Sequence, residues 1–401
     1  MKDRTQHWMG ALLVTALLTA GQAQAAATVD VLWRAPLAEP LQARIYQTVI
    51  DSGTPPRVIA TTPEEVVVFE QGKASTLFRL EHGGALGKSA LLPDSLTGDA
   101  ARGLVGVLSH NHHAVESFEL RDIGGRTLAK LDDARHVFFR LSPDGKSVVG
   151  VDPGNTHTAL TARQVIYRFF DRAGNSDKQR EVISVRPQLS HDSAFSPDGG
   201  LFFINSQDSG LTAYDPATAA ARWAIDRPVK MFAAANQASG MVLIADAKAR
   251  NNVALYQQGK LVWETGLAAV GDEGNVRNIA LSPNGQYGAV TGHNMVFTFS
   301  PQSGKPAGTF KVASGAAINS VAVNDLGVIA VGAQAAELKS GELWFLDAVT
   351  AQPLAPMQRT EHARSNAWIP MVQFDASGHY ALVRTLEQIS LYSIQVTRQA
   401  K

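Results

Sequence analysis

The densest group of side chains able to do chemistry is Ser109-His110-Asn111-His112-His113. His110 and His112 share one side of an extended segment there, so they could offer two imidazoles to one ion, with a third ligand drawn from elsewhere in the chain. His157 and His293 stand in other loop-like stretches, while Arg250, Arg277 and Arg364 supply permanent positive charge in segments of mixed sign. Imidazoles so placed either coordinate a metal or respond to pH near neutrality. Solvated loop residues with neither role have the same composition, and we assign no catalytic, cofactor-binding or metal-binding residue. The common reaction signatures are missing: there is no Gly-x-Ser-x-Gly elbow, no Walker loop and no His-Glu-x-x-His pair. Gly84-Ala85-Leu86-Gly87-Lys88-Ser89 ends like a phosphate loop, but its spacing is short and a strand is expected to follow it.

The elements that must position these residues are strands. A phrase recurs in which an apolar strand meets a Ser-Pro-Asp-Gly type turn and a second apolar strand follows. It is read at Leu141-Ser142-Pro143-Asp144-Gly145, Phe195-Ser196-Pro197-Asp198-Gly199 and Leu281-Ser282-Pro283-Asn284-Gly285. Looser copies stand at Gln237-Ala238-Ser239-Gly240, Asn324-Asp325-Leu326-Gly327 and Asp375-Ala376-Ser377-Gly378, with earlier anchors at Asp51-Ser52-Gly53 and around Thr97-Gly98. Proline presets φ, Asp or Asn bonds locally, and glycine takes the positive-φ position that closes the hairpin. The period of roughly 40 to 55 residues belongs to four-stranded propeller blades.

The fold class is therefore all-β: a single β-propeller of eight blades, or seven if the Asp51 or Thr97 region is irregular, each of four antiparallel strands. The last turn is followed by only two obvious strands, Tyr380 to Arg384 and Ile389 to Ile394, so the final blade needs Thr28 to Trp33 to close the ring. In such a ring the loops from second to third strand, and from one blade to the next, share one face. The histidines and arginines named above fall on that loop face. So do longer segments at 152–164, 246–252, 266–277, 332–342 and 357–368. Trp223, Trp263 and Trp344 read as packing between blades.

Lys2 and Arg4, the apolar run from Met9 to Ala20 and the small residues Ala23-Gln24-Ala25 read as an export signal over 1–25, cleaved near Ala25, with the propeller over 26–401. The expected location is the periplasm, without membrane insertion. The chain has no cysteine, which excludes disulfides, thiol catalysis and c-type haem attachment. Its 36 basic and 36 acidic residues cancel, leaving no electrostatic footprint for nucleic acid.

The Ser-Pro-Asp-Gly turns resemble those of periplasmic propellers related to WD repeats and of the Tol-system propeller. Ala213-Tyr214-Asp215-Pro216-Ala217-Thr218 followed by Trp223, and Gly259-Lys260-Leu261-Val262-Trp263, are similar to the tryptophan-docking phrase of quinoprotein-like (PQQ-like) repeats. Ala219 and Ala220 replace the glycine and lysine of that phrase, and the second copy lacks its Ala-x-Asp part. The resemblance implies a propeller that either binds other proteins as a scaffold or carries a quinoprotein-like or amine-dehydrogenase-like oxidoreductase site in its central funnel. The missing catalytic signatures favour a non-catalytic binding or scaffold protein that docks a protein partner on the loop face and needs no cofactor. A small-molecule ligand is left open.

Overall fold

The computed structural model describes residues 26–397 apart from 38–44, 46, 52, 54, 63–64, 80–86, 97–104, 112–113, 133–137, 153–162, 172–177, 185–192, 207–209, 268–273, 313–314, 336–339 and 362–369. The expected export signal therefore lies outside the described residues. These form eight four-stranded antiparallel sheets and no α-helix, and no helix among them is long and apolar enough to cross a membrane. Strand β1 (Ala26–Pro36) comes first in the chain but belongs to the last sheet. The first blade is β2 (Gln47–Asp51), β3 (Arg57–Thr61), β4 (Glu65–Glu70) and β5 (Lys73–Arg79), and the second is β6 (Gly87–Leu96), β7 (Val105–Asn111), β8 (Ala114–Arg121) and β9 (Thr127–Asp132). The third is β10 (Phe138–Leu141), β11 (Ser147–Asp152), β12 (Arg163–Asp171) and β13 (Lys178–Ser184), and the fourth is β14 (Ser193–Phe195), β15 (Phe202–Ser206), β16 (Gly210–Tyr214) and β17 (Ala221–Ile225). The fifth holds β18 (Val229–Ala234), β19 (Met241–Asp246), β20 (Asn252–Gln257) and β21 (Lys260–Gly266), and the sixth β22 (Asn278–Leu281), β23 (Gly288–Thr291), β24 (Met295–Phe299) and β25 (Pro306–Lys311). The seventh holds β26 (Ala317–Val323), β27 (Val328–Gln334), β28 (Ser340–Asp347) and β29 (Gln358–Glu361). The eighth is β30 (Met371–Phe374), β31 (Tyr380–Arg384) and β32 (Gln388–Thr397), completed by β1.

That closure follows the sequence expectation and is longer than expected, since β1 pairs with β32 from Ala26↔Thr397 to Pro36↔Gln388. Thr48 Oγ1 donates to Gln373 Oε1 at 3.2 Å and Gln373 Nε2 returns a bond to the Thr48 carbonyl at 3.0 Å, which ties the innermost strand of the first blade to that of the eighth.

Burial explains the apolar runs. The middle strands of the fourth and seventh blades are covered by neighbours on both faces, so β15 and β27 are buried at every position, whereas the outermost β5, β21 and β25 are mostly exposed. A hydrophobic cluster fills each junction between blades; one joins Phe203 and Leu211 to Val242 and Ile244, and another joins Ile50 and Val58 to Leu382 and Leu391. The tryptophans pack where expected. Trp263 meets Phe299 across the fifth and sixth blades at 4.9 Å between ring centres, and Trp344 meets Phe310 across the seventh and sixth at 4.9 Å. The Trp263 ring lies over the turn of the next blade at Gly304, where φ is +64° and an added Cβ would stand 2.2 Å from Cγ of the indole.

The Ser-Pro-Asp-Gly turns have one internal arrangement. Ser196 is fully buried; its Oγ donates to Asp198 Oδ1 at 2.6 Å and accepts the Leu201 amide at 2.9 Å, and Ser142 repeats both bonds with Asp144 and Ser147. The turns also bond to one another. Asp198 Oδ2 accepts the Gln237 amide at 2.9 Å, the Pro283 carbonyl accepts the Asn236 amide at 2.7 Å, Asp325 Oδ1 accepts the Asn284 amide at 2.8 Å, and Asn324 Nδ2 donates to the Gly378 carbonyl at 2.7 Å. A belt of hydrogen bonds thus links the fourth through eighth blades at the turn face.

Two expected long loops are shorter than read. Gly332 to Gln334 and Ser340 to Glu342 extend β27 and β28, where Ala333 pairs with Glu342, and Gln358 to Glu361 form β29. Small residues at Gly332, Ala333 and Gly341 let the strands run on beneath the next blade, where Pro370 packs close to both glycines.

Candidate functional site

At the turn face, the axial end of the ring opens as a cavity of about 380 Å³ lined from five blades, by Ile50, Pro197, Leu281, Val323 and Phe374 among others. Its carboxylates are committed to backbone amides: Asp325 Oδ1 caps Asn284, while Asp375 accepts the Tyr380 amide at 2.9 Å and the Ser377 amide at 3.0 Å. This mouth is built for packing. A second cavity, about 870 Å³, also lies on the turn side, between the third and fourth blades. Two of its carboxylates are paired within the chain, Asp144 with Lys146 at 2.9 Å and Asp215 with Arg222, and Lys178 Nζ donates to the Ala217 carbonyl at 2.7 Å.

The loop face carries a different chemistry around the fifth blade. Arg227 stands two residues before β18 and spans three groups: its Nη2 pairs with Asp246, its Nη1 meets Glu264 Oε2 at 3.0 Å, and Nη1 also reaches the Tyr256 hydroxyl at 3.4 Å. Asp246 is buried, 7 % exposed, and its Oδ1 accepts the amides of Lys248 at 2.6 Å and Ala249 at 2.9 Å. Burial works to raise the Asp246 pKa, but those amides and the guanidinium outweigh it and hold the carboxyl below its ordinary value. The Arg227 bond holds Glu264 low as well. A fixed carboxylate thereby sets the course of the loop 247–251 and of Arg250 within it.

Arg250 and Arg277 are exposed and come together through the backbone, since the Val276 amide donates to the Arg250 carbonyl at 2.9 Å. Lys230 Nζ donates to the Val276 carbonyl at 2.8 Å, which makes a third cation at the same place. Burial and the two neighbouring guanidinia push the Lys230 ammonium below its usual pKa. No carboxylate among the described residues pairs with any of the three. His293 is exposed on the adjoining loop of the sixth blade, two residues beyond Thr291, whose carbonyl accepts the Arg277 amide at 2.8 Å.

The structure thus gathers Arg250 and Arg277, sets His293 nearby, and adds Lys230. The sequence signal for Lys230 was a lone cation inside the apolar strand Val229 to Ala234. His110 lies within β7, paired with Lys88 and Val115 beside the loop, while His112, His113, His157 and Arg364 lie outside the described residues. Among the described residues no three His, Asp or Glu side chains gather as a metal site requires.

No family model matches the sequence, and no curated protein matches it either. Solved structures do match. The C-terminal WD40 domain of Sif2 superposes with a TM-score of 0.60 at 12 % identity, covering 92 % of this chain and 98 % of that one. BamB from Moraxella catarrhalis gives 0.57 at 11 % identity over 91 % of this chain and 100 % of its own. The computationally designed Ika8 protein gives 0.57 at 13 % identity over 91 % and 99 %. At these identities the likeness is one of fold: a β-propeller of the WD40 and BamB type.

Proposed function

We propose that this propeller is a non-catalytic binding or scaffold protein of the periplasm that docks an acidic protein surface on its loop face. The observation that carries this is the convergence of Lys230, Arg250 and Arg277 on Val276, with no counter-ion among the described residues. Like charges brought together repel, so their juxtaposition gains from an opposing surface, and such a patch steers association with acidic partners. Rigid scaffolds carrying functional loops are a common route to binding, and the Arg227–Asp246 pair stiffens this one. The likeness to WD40 and BamB folds supports a propeller scaffold by analogy of fold.

The reading is tested by cross-linking the purified mature chain into periplasmic extract of its source cell. A stoichiometric acidic partner is expected, lost on Arg250→Glu/Arg277→Glu and regained at low salt with Arg250→Lys/Arg277→Lys. Capture that is indifferent to both charge reversal and salt refutes a loop-face dock. The oxidoreductase reading draws no support from the turn-face mouth, where carboxylates serve backbone amides.

A further inference from the structure

At the loop-face end of the junction between the eighth and first blades lies a cavity of about 280 Å³, lined by Gln47, Thr48, Met371, Gln373 and Arg384. Arg384 ends β31 and pairs in register with Met371. Its Nη1 donates to the Ile45 carbonyl at 2.8 Å, and its Nη2 is directed at Met371 Sδ, 2.9 Å away. A thioether is a weak acceptor, so among the described residues most of the five guanidinium donors have no strong partner. Among the described residues no carboxylate answers the charge. The side chain is half-buried, and burial lowers its pKa from the ordinary arginine value. A cation set apart from water without a counter-ion is costly unless something of opposite charge completes it.

We propose that this cavity is a carboxylate-binding site, with Arg384 as the anchor of a single carboxylate group. The planar fork of a guanidinium matches a carboxylate through two parallel hydrogen bonds. One positive charge is neutralised by one negative charge, which a monocarboxylate supplies and a phosphate exceeds. Gln373 adds a further donor, because its amide spends one hydrogen on the Thr48 carbonyl and keeps the other. The volume sits just below the usual range of small-molecule sites, roughly 300–1,000 Å³, so the ligand is a small acid or the carboxyl terminus of a chain. This site is separate from the cationic loop patch of the fifth and sixth blades and stands or falls without it.

The test is calorimetric titration of the full chain with propionate, propionamide, inorganic phosphate, and a short peptide in its free-acid and C-terminal amide forms. Propionate is expected to bind at least tenfold more tightly than propionamide and phosphate, and Arg384→Gln to erase that preference. Tighter binding of the free-acid peptide than of propionate assigns the carboxylate to a polypeptide terminus, and the reverse assigns it to a free acid; both uphold the site. Equal binding of propionate and propionamide overturns it, and so does a preference that survives Arg384→Gln. The acid-to-amide comparison on the unaltered chain decides the matter even where the variant does not fold.

Discussion

Replacing Arg227 by Met keeps most of the aliphatic stem and removes the charge that joins Asp246, Glu264 and Tyr256. The Glu264 side chain is 33 % exposed and rehydrates, so its share of the loss is small. Asp246, with a side chain 9 % exposed, cannot follow it into water, yet it retains the amides of Lys248 and Ala249. The cost falls between that of a surface pair, ~0–1 kcal/mol, and that of a broken buried pair, ~3–5 kcal/mol, and we expect about 2 kcal/mol at pH 7. The sign of its pH dependence follows from the depressed carboxyls. Their contribution is complete above the ordinary values of 3.8 and 4.5 and is lost as pH falls through the lower folded values. Urea unfolding of both chains should therefore show a constant difference from pH 7 to ~5 that shrinks below pH ~4. Amide exchange in 247–251 should quicken in the variant, because Asp246 no longer holds that loop from a fixed position. A difference under ~0.5 kcal/mol at pH 7, or one of the same size at pH 3, refutes the electrostatic account and leaves only lost packing.

Gly304→Ala forces a methyl into the Trp263 indole and a side chain into the left-handed region, terms of ~1–3 and ~1–2 kcal/mol, so a loss near 3 kcal/mol is expected. By contrast Ala219→Gly, in the equivalent turn at φ +53°, trades backbone relief against a buried methyl and should stay within ~1 kcal/mol of the parent; thermal unfolding of the pair separates the two causes. Ser196→Ala strips the Leu201 amide of its buried acceptor and should cost ~1–3 kcal/mol, read by chemical denaturation, whereas Ser303→Ala on an exposed turn should cost little.

The architecture was readable because its turns carry local chemistry. Proline, Asp and glycine in sequence state a hairpin wherever they stand, and all six Ser-Pro-Asp-Gly and looser copies from Leu141 onward join the first and second strands of a blade. What could not be read was the second task of those residues. Nothing adjacent in sequence says that Asp198 also serves Gln237 or that Asp325 serves Asn284, since each bond spans a blade. One repeat is hidden because Ala355 stands where Trp223 closes the Asp215 phrase: Asp347 accepts the amides of Val349 and Thr350 just as Asp215 accepts those of Ala217 and Thr218, and Ala351 takes φ +58° as Ala219 takes +53°. The site was half legible. Arg250 and Arg277 stood out as charges in loops, but Lys230 and Arg384 end or interrupt apolar strands. Their roles arise from what the ring closure and the neighbouring loops place beside them.

The join between β1 and β32 makes the propeller's first strand in chain order wait for its last. Until that latch snaps shut, the eighth blade offers a bare rim of amides and carbonyls, and no local pairing can compensate. Assembly is thus gated by its most distant contact, which slows it. Opening at this seam costs the ladder of bonds between β1 and β32, whereas the junctions between blades part by losing side-chain packing and single hydrogen bonds, so the zipper locks the one blade that the chain does not build from consecutive strands.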